Sequence, residues 1–143
     1  MEPNKPAENK KVYRNPALAT DAICTKIIKE EEHVLLITRG RDPFKGHYAF
    51  PGGFVDYGED PEVGVTRELA EECNIEGAKP QLVCVAGKPD RDPRQHVVSI
   101  VYHVHVDPEH MVKAGDDAAT AEWYPLAKVL AEFDMAFDHK EIL

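Results

Sequence analysis

The stretch PGGFVDYGEDPEVGVTRELAEECNIEG, residues 51–77, constrains the fold more than any other part of the chain. From Pro61 to about Cys73 it reads as an amphipathic helix. Asp60 stands before it as an N-cap, and Pro61 suits the first helical position, where a backbone N–H is not needed. At about 100° per residue, Val65, Leu69 and Cys73 share one face, which should point into a core. Glu68, Glu71 and Glu72 gather on the neighbouring face. Gly64 lies on that acidic face one turn earlier. A glycine inside a helix costs roughly 1 kcal/mol relative to alanine, so its use here is room for something to approach the backbone closely.

Around this helix the chain is organised by strands. "ATDAICTKII" and "HVLLIT" flank the charged turn "KEEE", as in a β-hairpin. "RGRDPFKGHYAFPGG" is loop-rich, with a short extended piece at His47 to Phe50. "QLVCVA" and the β-branched "HVVSIVYHVHV" are strands joined by the polar loop "GKPDRDPRQ". A loop, "DPEHMVKAGDDAAT", then leads to the short strand "AEWYPL" and a helix around Ala127 to Phe133. "DHKE" has the pattern of a capping box, with Asp138 as cap and Glu141 three residues on. Strands and helices interleave unevenly. That predicts an α/β chain of the α+β kind, a mixed β-sheet sandwiched between α-helices. Residues 1–16 hold three prolines and almost nothing apolar, and read as a flexible N-terminal arm; 17–143 read as one domain.

The three cysteines (Cys24, Cys73, Cys84) are widely spaced with no C-x-x-C, which points to reduced thiols and a cytoplasmic address. No apolar run has the length needed to cross a bilayer, so no membrane partner is expected. A formal charge of −9 argues against a nucleic-acid binder, which would show a basic stripe. It does not oppose an anionic small molecule, provided that divalent cations stand between that ligand and the acidic groups.

The acidic turn has two readings. One is a solvated helix face. Yet like charges three or four residues apart destabilise a helix, and these lie near its C-terminus, where the macrodipole disfavours anions. Only Arg67 lies within the cluster to relieve it. The other reading is a hard-metal site, for which carboxylate oxygens suit Mg²⁺ or Mn²⁺. Elsewhere, His103 and His105 alternate on one strand face, but no third zinc ligand is evident at a suitable spacing. Trp123 reads as core.

The spacing of the acidic residues resembles the Nudix hydrolase signature G-x5-E-x7-R-E-U-x-E-E-x-G-U, where U is aliphatic. Gly53, Glu59, Arg67, Glu68, Leu69, Glu71, Glu72 and Ile75 match it. Asn74 stands in place of the glycine that ends the helix in a left-handed conformation, for which asparagine is the next best residue. The resemblance implies that Glu68, Glu71 and Glu72 hold one to three Mg²⁺ ions, or Mn²⁺, with the carbonyl of Gly52 as a further ligand. Arg67 would pair with a signature carboxylate, Glu59 being the candidate. The glycines Gly52 and Gly53 let the main chain come close to metal and phosphates.

The activity implied is hydrolysis of the diphosphate in a nucleoside diphosphate joined to another group. Glu68 or Glu72 could act as general base, as could an acid before Trp123: Glu109, Asp116, Asp117 or Glu122. The outer motifs, including "AFDHKEIL", resemble the ADP-ribose pyrophosphatase branch, whose products are AMP and ribose 5-phosphate. Arg39, Arg41, Arg91 and Arg94 offer guanidinium forks for a diphosphate or a terminal phosphoribose, unless they pair with Asp42, Asp90 or Asp92. Phe44, Tyr48 and Tyr57 could stack on adenine, although Tyr48 better suits the core. Two rival functions are a nucleoside triphosphate pyrophosphatase, as for 8-oxo-dGTP, and a non-catalytic ADP-ribose sensor. The sensor would normally carry an added DNA-binding segment, for which the arm is too short. Related enzymes are often homodimers that exchange N-terminal strands, and the arm could take that part here.

Overall fold

The computed structural model describes residues 13–108 and 118–143. In chain order the elements are strands β1 (Ala17–Ile28), β2 (Glu31–Arg39), β3 (Tyr48–Ala49) and β4 (Gly52–Phe54), helix α1 (Pro61–Cys73), strands β5 (Gln81–Ala86), β6 (Val97–His105) and β7 (Ala118–Pro125), and helices α2 (Leu126–Glu132) and α3 (His139–Ile142). The strands make one mixed sheet in the order β3-β2-β1-β6-β5, with β4 paired to β1 and β7 to β2. This is the α+β architecture that the sequence predicts.

The hairpin of β1 and β2 turns at Lys29 and Glu30, both at positive φ (50° and 67°). Positive φ at both central residues matches the twist of paired strands. Strand β6 runs parallel to β1, from Ala17 opposite Val97 to Thr25 opposite His105. The opposite edge of β1 is shared. Its first part, Ala19–Asp21, pairs with β4, and its last part, Thr25–Ile28, pairs with β2. Between them the two partners diverge, and the bond from Ala22 N–H to the Pro51 carbonyl (2.9 Å) spans the opening. This splay sets Gly52 and Gly53 beside α1 at the mouth of a cleft.

Side chains alternate across the sheet and feed two cores. On one face Val65, Leu69 and Cys73 of α1, all fully buried, meet Ala22, Cys24, Leu35, Ile37 and Val104. On the other, Val129 of α2 meets Ile23, Val34, Leu36 and Val101, with Ile142 and Leu143 packed at the margin. Each buried aliphatic side chain contributes about 1.5–3 kcal/mol. The helix-face assignment from the sequence is therefore correct at all three positions.

Both ends of α1 are built as its sequence suggests. Asp60 Oδ1 accepts from Glu62 N–H at 2.9 Å, and Asn74 is left-handed at φ 58°. The last helix differs. Asp138 makes no side-chain cap bond to α3, because Arg91 claims both of its carboxylate oxygens. A bidentate guanidinium bond is stronger than a neutral N-cap. Tyr48 stacks on Phe133 (ring centroids 4.4 Å apart) and joins Tyr124, as a core residue. Trp123 packs partly buried against the α1-side core. His103 and His105 do share a face, where both approach Thr25 Oγ1 (2.7 and 3.3 Å).

Candidate active site

The cleft has a volume of about 600 Å³ and runs from the acidic face of α1 across the splayed edge of β1 to the C-terminal segment. Glu68 and Glu72 enter it from α1, and Gly52, Gly53 and Asp56 from the loop that faces them. The side chain of Glu72 is buried, and its Oε1 accepts from Gly52 N–H at 3.1 Å. This bond fixes the glycine loop to the helix. A Cβ on Gly53 would stand 2.7 Å from the Glu68 carboxyl group. Only glycine leaves that carboxylate its place.

Arg67 holds the cluster together. Its Nε and Nη2 donate to the two oxygens of Glu59 (2.8 and 3.0 Å), while Nη1 donates to Glu68 Oε1 (2.9 Å) and Glu71 Oε2 (3.3 Å). The expected pairing of Arg67 with Glu59 is thus present and bidentate. Gly64 also finds its reason, since a Cβ there would lie 2.9 Å from Glu59 Oε1. What approaches the helix backbone at that glycine is the Glu59 carboxylate.

Electrostatics divide these acids. Hydrogen bonds from Arg67, aided by the Asp56 N–H, pull the Glu59 carboxyl down to about 2. Burial pushes Glu68 the other way, above the usual carboxylate range, against the opposing pull of Arg67. Glu68 is therefore a partly desolvated carboxylate that keeps one ion pair, to Arg67. Glu71 is exposed, turned toward Arg67, and outside the residues that line the cleft.

Among the described residues, no group of three or more His, Cys, Asp or Glu side chains stands ready to hold an ion by itself. Mg²⁺ does not require one. It binds through one or two carboxylates and keeps its other positions for water and phosphate. Glu68 and Glu72, which line the cleft beside the Gly52 backbone, fit that demand by the chemistry of their oxygens.

All four arginines singled out in the sequence line the opposite part of the cleft. Their surroundings differ. Arg91 is buried and donates to Asp138 at 3.0 and 2.7 Å. Arg94 grips Asp92 (2.7 Å) and lies 5.6 Å above the Phe54 ring. Arg39 donates to the Pro43 carbonyl at 2.7 Å and stands over Phe137, and a register shift between Thr38 and Arg39 marks where β2 delivers it to the cleft. Arg41 lines the rim. Phe44 packs edge-on against Phe137, and Tyr57 is almost fully exposed outside the cleft lining. Glu122 also lies outside it, where its Oε2 accepts from Tyr124 Oη at 3.1 Å. Glu109, Asp116 and Asp117 fall outside the described residues, as do residues 1–12 of the arm.

The cleft contains residues that sequence reading missed. Asp21 forms part of its floor, where Ser99 Oγ donates to it and His139 Nε2 lies 3.5 Å away. Burial pushes the Asp21 carboxyl up, but His139, Ser99 and Arg91 together outweigh that and hold it below its ordinary range. His139 in turn accepts the Phe50 N–H at Nδ1 (3.1 Å) and stacks on the Phe50 ring. A lone carboxylate inside the apolar run "ATDAIC" was the available signal for Asp21. Phe54, half-exposed in the cleft, had none.

A mixed sheet between helices carries a carboxylate helix that faces a glycine strand beside an arginine-lined cleft. Residues 18–143 match the NUDIX domain, and the chain belongs to that family. Among curated relatives, an ADP-ribose pyrophosphatase of Methanocaldococcus jannaschii is 43% identical over 133 residues, 93% of this chain and 74% of the relative. The ADPR responsive transcriptional repressor NtrR of Acinetobacter baylyi is 29% identical, and the match spans 92% of this chain but 53% of the repressor. Among solved structures, the NUDIX domain of Shewanella oneidensis NrtR complexed with ADP ribose superposes with a TM-score of 0.84 at 29% identity, covering 91% of this chain and 85% of that one. A MutT/nudix family protein from Enterococcus faecalis also reaches 0.84, at 31% identity, with 94% and 62% covered.

Proposed function

We propose that the chain is a metal-dependent pyrophosphohydrolase that cleaves ADP-ribose into AMP and ribose 5-phosphate. The observation that carries this reading is one cleft with the Glu68 and Glu72 carboxylates at one end and the Arg39, Arg41 and Arg94 guanidinium groups at the other. The 43% identity to a named ADP-ribose pyrophosphatase supports the choice of substrate. A bound Mg²⁺ or Mn²⁺ supplies charge neutralisation at the phosphate oxygens and a water of lowered pKa.

Glu68, Glu72 and the Gly52 carbonyl would hold that ion, with Glu71 at the rim for a further one. Arg67 and Glu59 keep the carboxylates in place without entering the chemistry. Gly53 gives the diphosphate a close approach to the main chain. Glu68 and Glu72 line the cleft and Glu122 does not, so among the described candidates one of these two takes the proton of the attacking water. Arg39 and Arg41 orient the diphosphate, while Arg91, already clasped by Asp138, shapes the floor. The substrate is a small nucleotide and not a nucleic acid, in keeping with a net charge of −9. Three unpaired cysteines agree with a cytoplasmic setting.

The test is Glu72→Gln, which keeps an oxygen for the Gly52 N–H while removing the charge. Turnover of ADP-ribose in Mg²⁺ should fall by at least about a hundredfold, with the melting temperature nearly unchanged. Undiminished hydrolysis would remove the helix from the chemistry. Pyrophosphate released faster from a nucleoside triphosphate than AMP from ADP-ribose would replace the substrate. A sensor that binds ADP-ribose without cleaving it has support in the similarity to NtrR. The complete set of signature carboxylates favours turnover, and product formation decides.

A further inference from the structure

His139 opens α3 and is only 3% exposed. A buried histidine is most often satisfied by whatever polar groups lie nearest to its ring. Here both ring nitrogens lead to the same residue, Gly52. Nδ1 accepts the buried Phe50 N–H at 3.1 Å, which leaves the ring hydrogen on Nε2, 3.5 Å from Asp21 Oδ1. Phe50 and Pro51 are the whole connection between β3 and β4, so that N–H stands two residues before Gly52. Asp21 is the cross-strand partner of Gly52, and a Cβ on Gly52 would lie 3.0 Å from Asp21 Oδ1. The rings of His139 and Phe50 stack at 4.7 Å and 18°, which fixes the imidazole plane. The histidine is itself held in place from both sides. Ala136 N–H donates to the Tyr48 carbonyl at 2.7 Å, Arg91 clasps Asp138, and Leu143 N–H donates to the His139 carbonyl at 3.0 Å.

We propose that His139 is a positioning residue for the Gly52 carbonyl, through which α3 sets how tightly the cleft takes a divalent ion. The proposal rests on the assignment of that carbonyl, with Glu68 and Glu72, to the ion. Gly52 has no side chain to hold it, so its place is set by the backbone around it. Three consecutive anchors do this. Phe50 N–H bonds His139, the Pro51 carbonyl accepts from Ala22 N–H at 2.9 Å, and Gly52 N–H bonds Glu72 Oε1. Pro51 has no N–H to contribute, so the donor at Phe50 is the last one before Gly52. A buried N–H without an acceptor is driven to find another, and the peptides that follow it turn with it. Groups that orient a metal ligand without touching the metal matter nearly as much as the ligand itself. Histidine suits the task because one neutral ring offers an acceptor to Phe50 and a donor to Asp21 at once. The bond at Nδ1 is the essential one. The longer contact at Nε2 keeps the ring turned the right way.

The test is Mn²⁺ binding to the full chain alone, followed by electron paramagnetic resonance at a temperature where every variant is folded. His139→Ala should weaken Mn²⁺ binding by about tenfold or more, and His139→Asn should restore it to within about threefold of the unaltered protein. The asparagine places an amide oxygen near the position of Nδ1, where Phe50 N–H can reach it. His139→Gln extends toward Asp21 and leaves Phe50 without an acceptor, so it should bind as weakly as His139→Ala. Hydrogen exchange at the Gly52 amide should quicken in the alanine and glutamine variants and not in the asparagine variant. With ADP-ribose and saturating metal, kcat should follow the same order while KM stays nearly constant. A purely structural role would lower the melting temperature and leave Mn²⁺ affinity untouched. Equal Mn²⁺ affinity in all four proteins therefore overturns the proposal, as does an asparagine variant no better than alanine. If His139→Ala fails to fold, the asparagine and glutamine variants decide, and equal affinity in those two refutes it. Should the unaltered protein bind no Mn²⁺ at all, the metal assignment fails and this proposal falls with it.

Discussion

Arg67 spends one guanidinium on Glu59, Glu68 and Glu71, with Asp56 3.6 Å away, so a single cation offsets a loop and a helix face that would otherwise repel. The depressed Glu59 carboxyl makes this measurable. Its folded value near 2 lies below the ordinary 4.5, so its bond to Arg67 stabilises the fold above that ordinary value and stops doing so as the pH falls toward 2. Glu59→Gln should therefore lower the melting temperature at pH 7, and the gap to the unaltered protein should close between about pH 4.5 and 2. A gap that stays constant across the acid range would mean that the pair contributes nothing through charge. The partnership of Arg67 and Glu59 was legible in the sequence because both lie within one local signature. The Asp21–His139 contact was not: 118 residues of chain separate the pair, and only the folded sheet brings them to 3.5 Å.

Helix α1 is the element that the sequence describes best, for reasons of period and punctuation. Apolar residues recur every four positions, Asp60 and Pro61 open it, and Asn74 closes it in a left-handed turn. There the N–H of Asn74 bonds Ala70 O at 3.2 Å and that of Ile75 bonds Leu69 O at 3.1 Å. The left-handed conformation costs an ordinary side chain about 1–2 kcal/mol. Asn74→Ala should thus lose about 1 kcal/mol in urea unfolding, and Asn74→Gly should lose nothing or gain a few tenths. An equal loss in both variants would place the role of Asn74 in its side chain and not in its backbone. Strand β4 shows the limit of such reading. "GGF" has no alternation and poor strand propensity, and it is extended because β1 offers it three partners, Ala19, Thr20 and Asp21. A Cβ on Gly52 would collide with the Thr20 carbonyl oxygen, so the pairing itself selects glycine. The same long-range cause hid the fate of Asp138: its capping pattern is local, and Arg91, 47 residues away, overrides it.

For the whole molecule, the acidic cleft couples stability to ions. The fold buries Glu72, and desolvation together with the Glu71 and Asp56 charges raises Glu68 despite its bond to Arg67. A ligand that binds the folded chain and not the unfolded one stabilises it by mass action, by about 2.7 kcal/mol at a hundredfold excess over its dissociation constant. Adding Mg²⁺ to chelator-treated protein should therefore raise the melting temperature, and ADP-ribose with Mg²⁺ should raise it further than either alone. Glu68→Gln should behave differently in the two conditions. Without metal it should melt close to the unaltered protein near neutral pH, because the partly desolvated charge that is removed offsets the lost bond to Arg67. With Mg²⁺ it should lose most of the increment, because the cradle has gone as well. This contrast distinguishes a site from a merely acidic surface: screening of a solvated patch by salt would shift both proteins alike, and Na⁺ at matched ionic strength would reproduce the effect. Equal increments in the two proteins, or equal effects of Na⁺ and Mg²⁺, would leave the carboxylates of α1 as surface charge and take the metal out of this cleft.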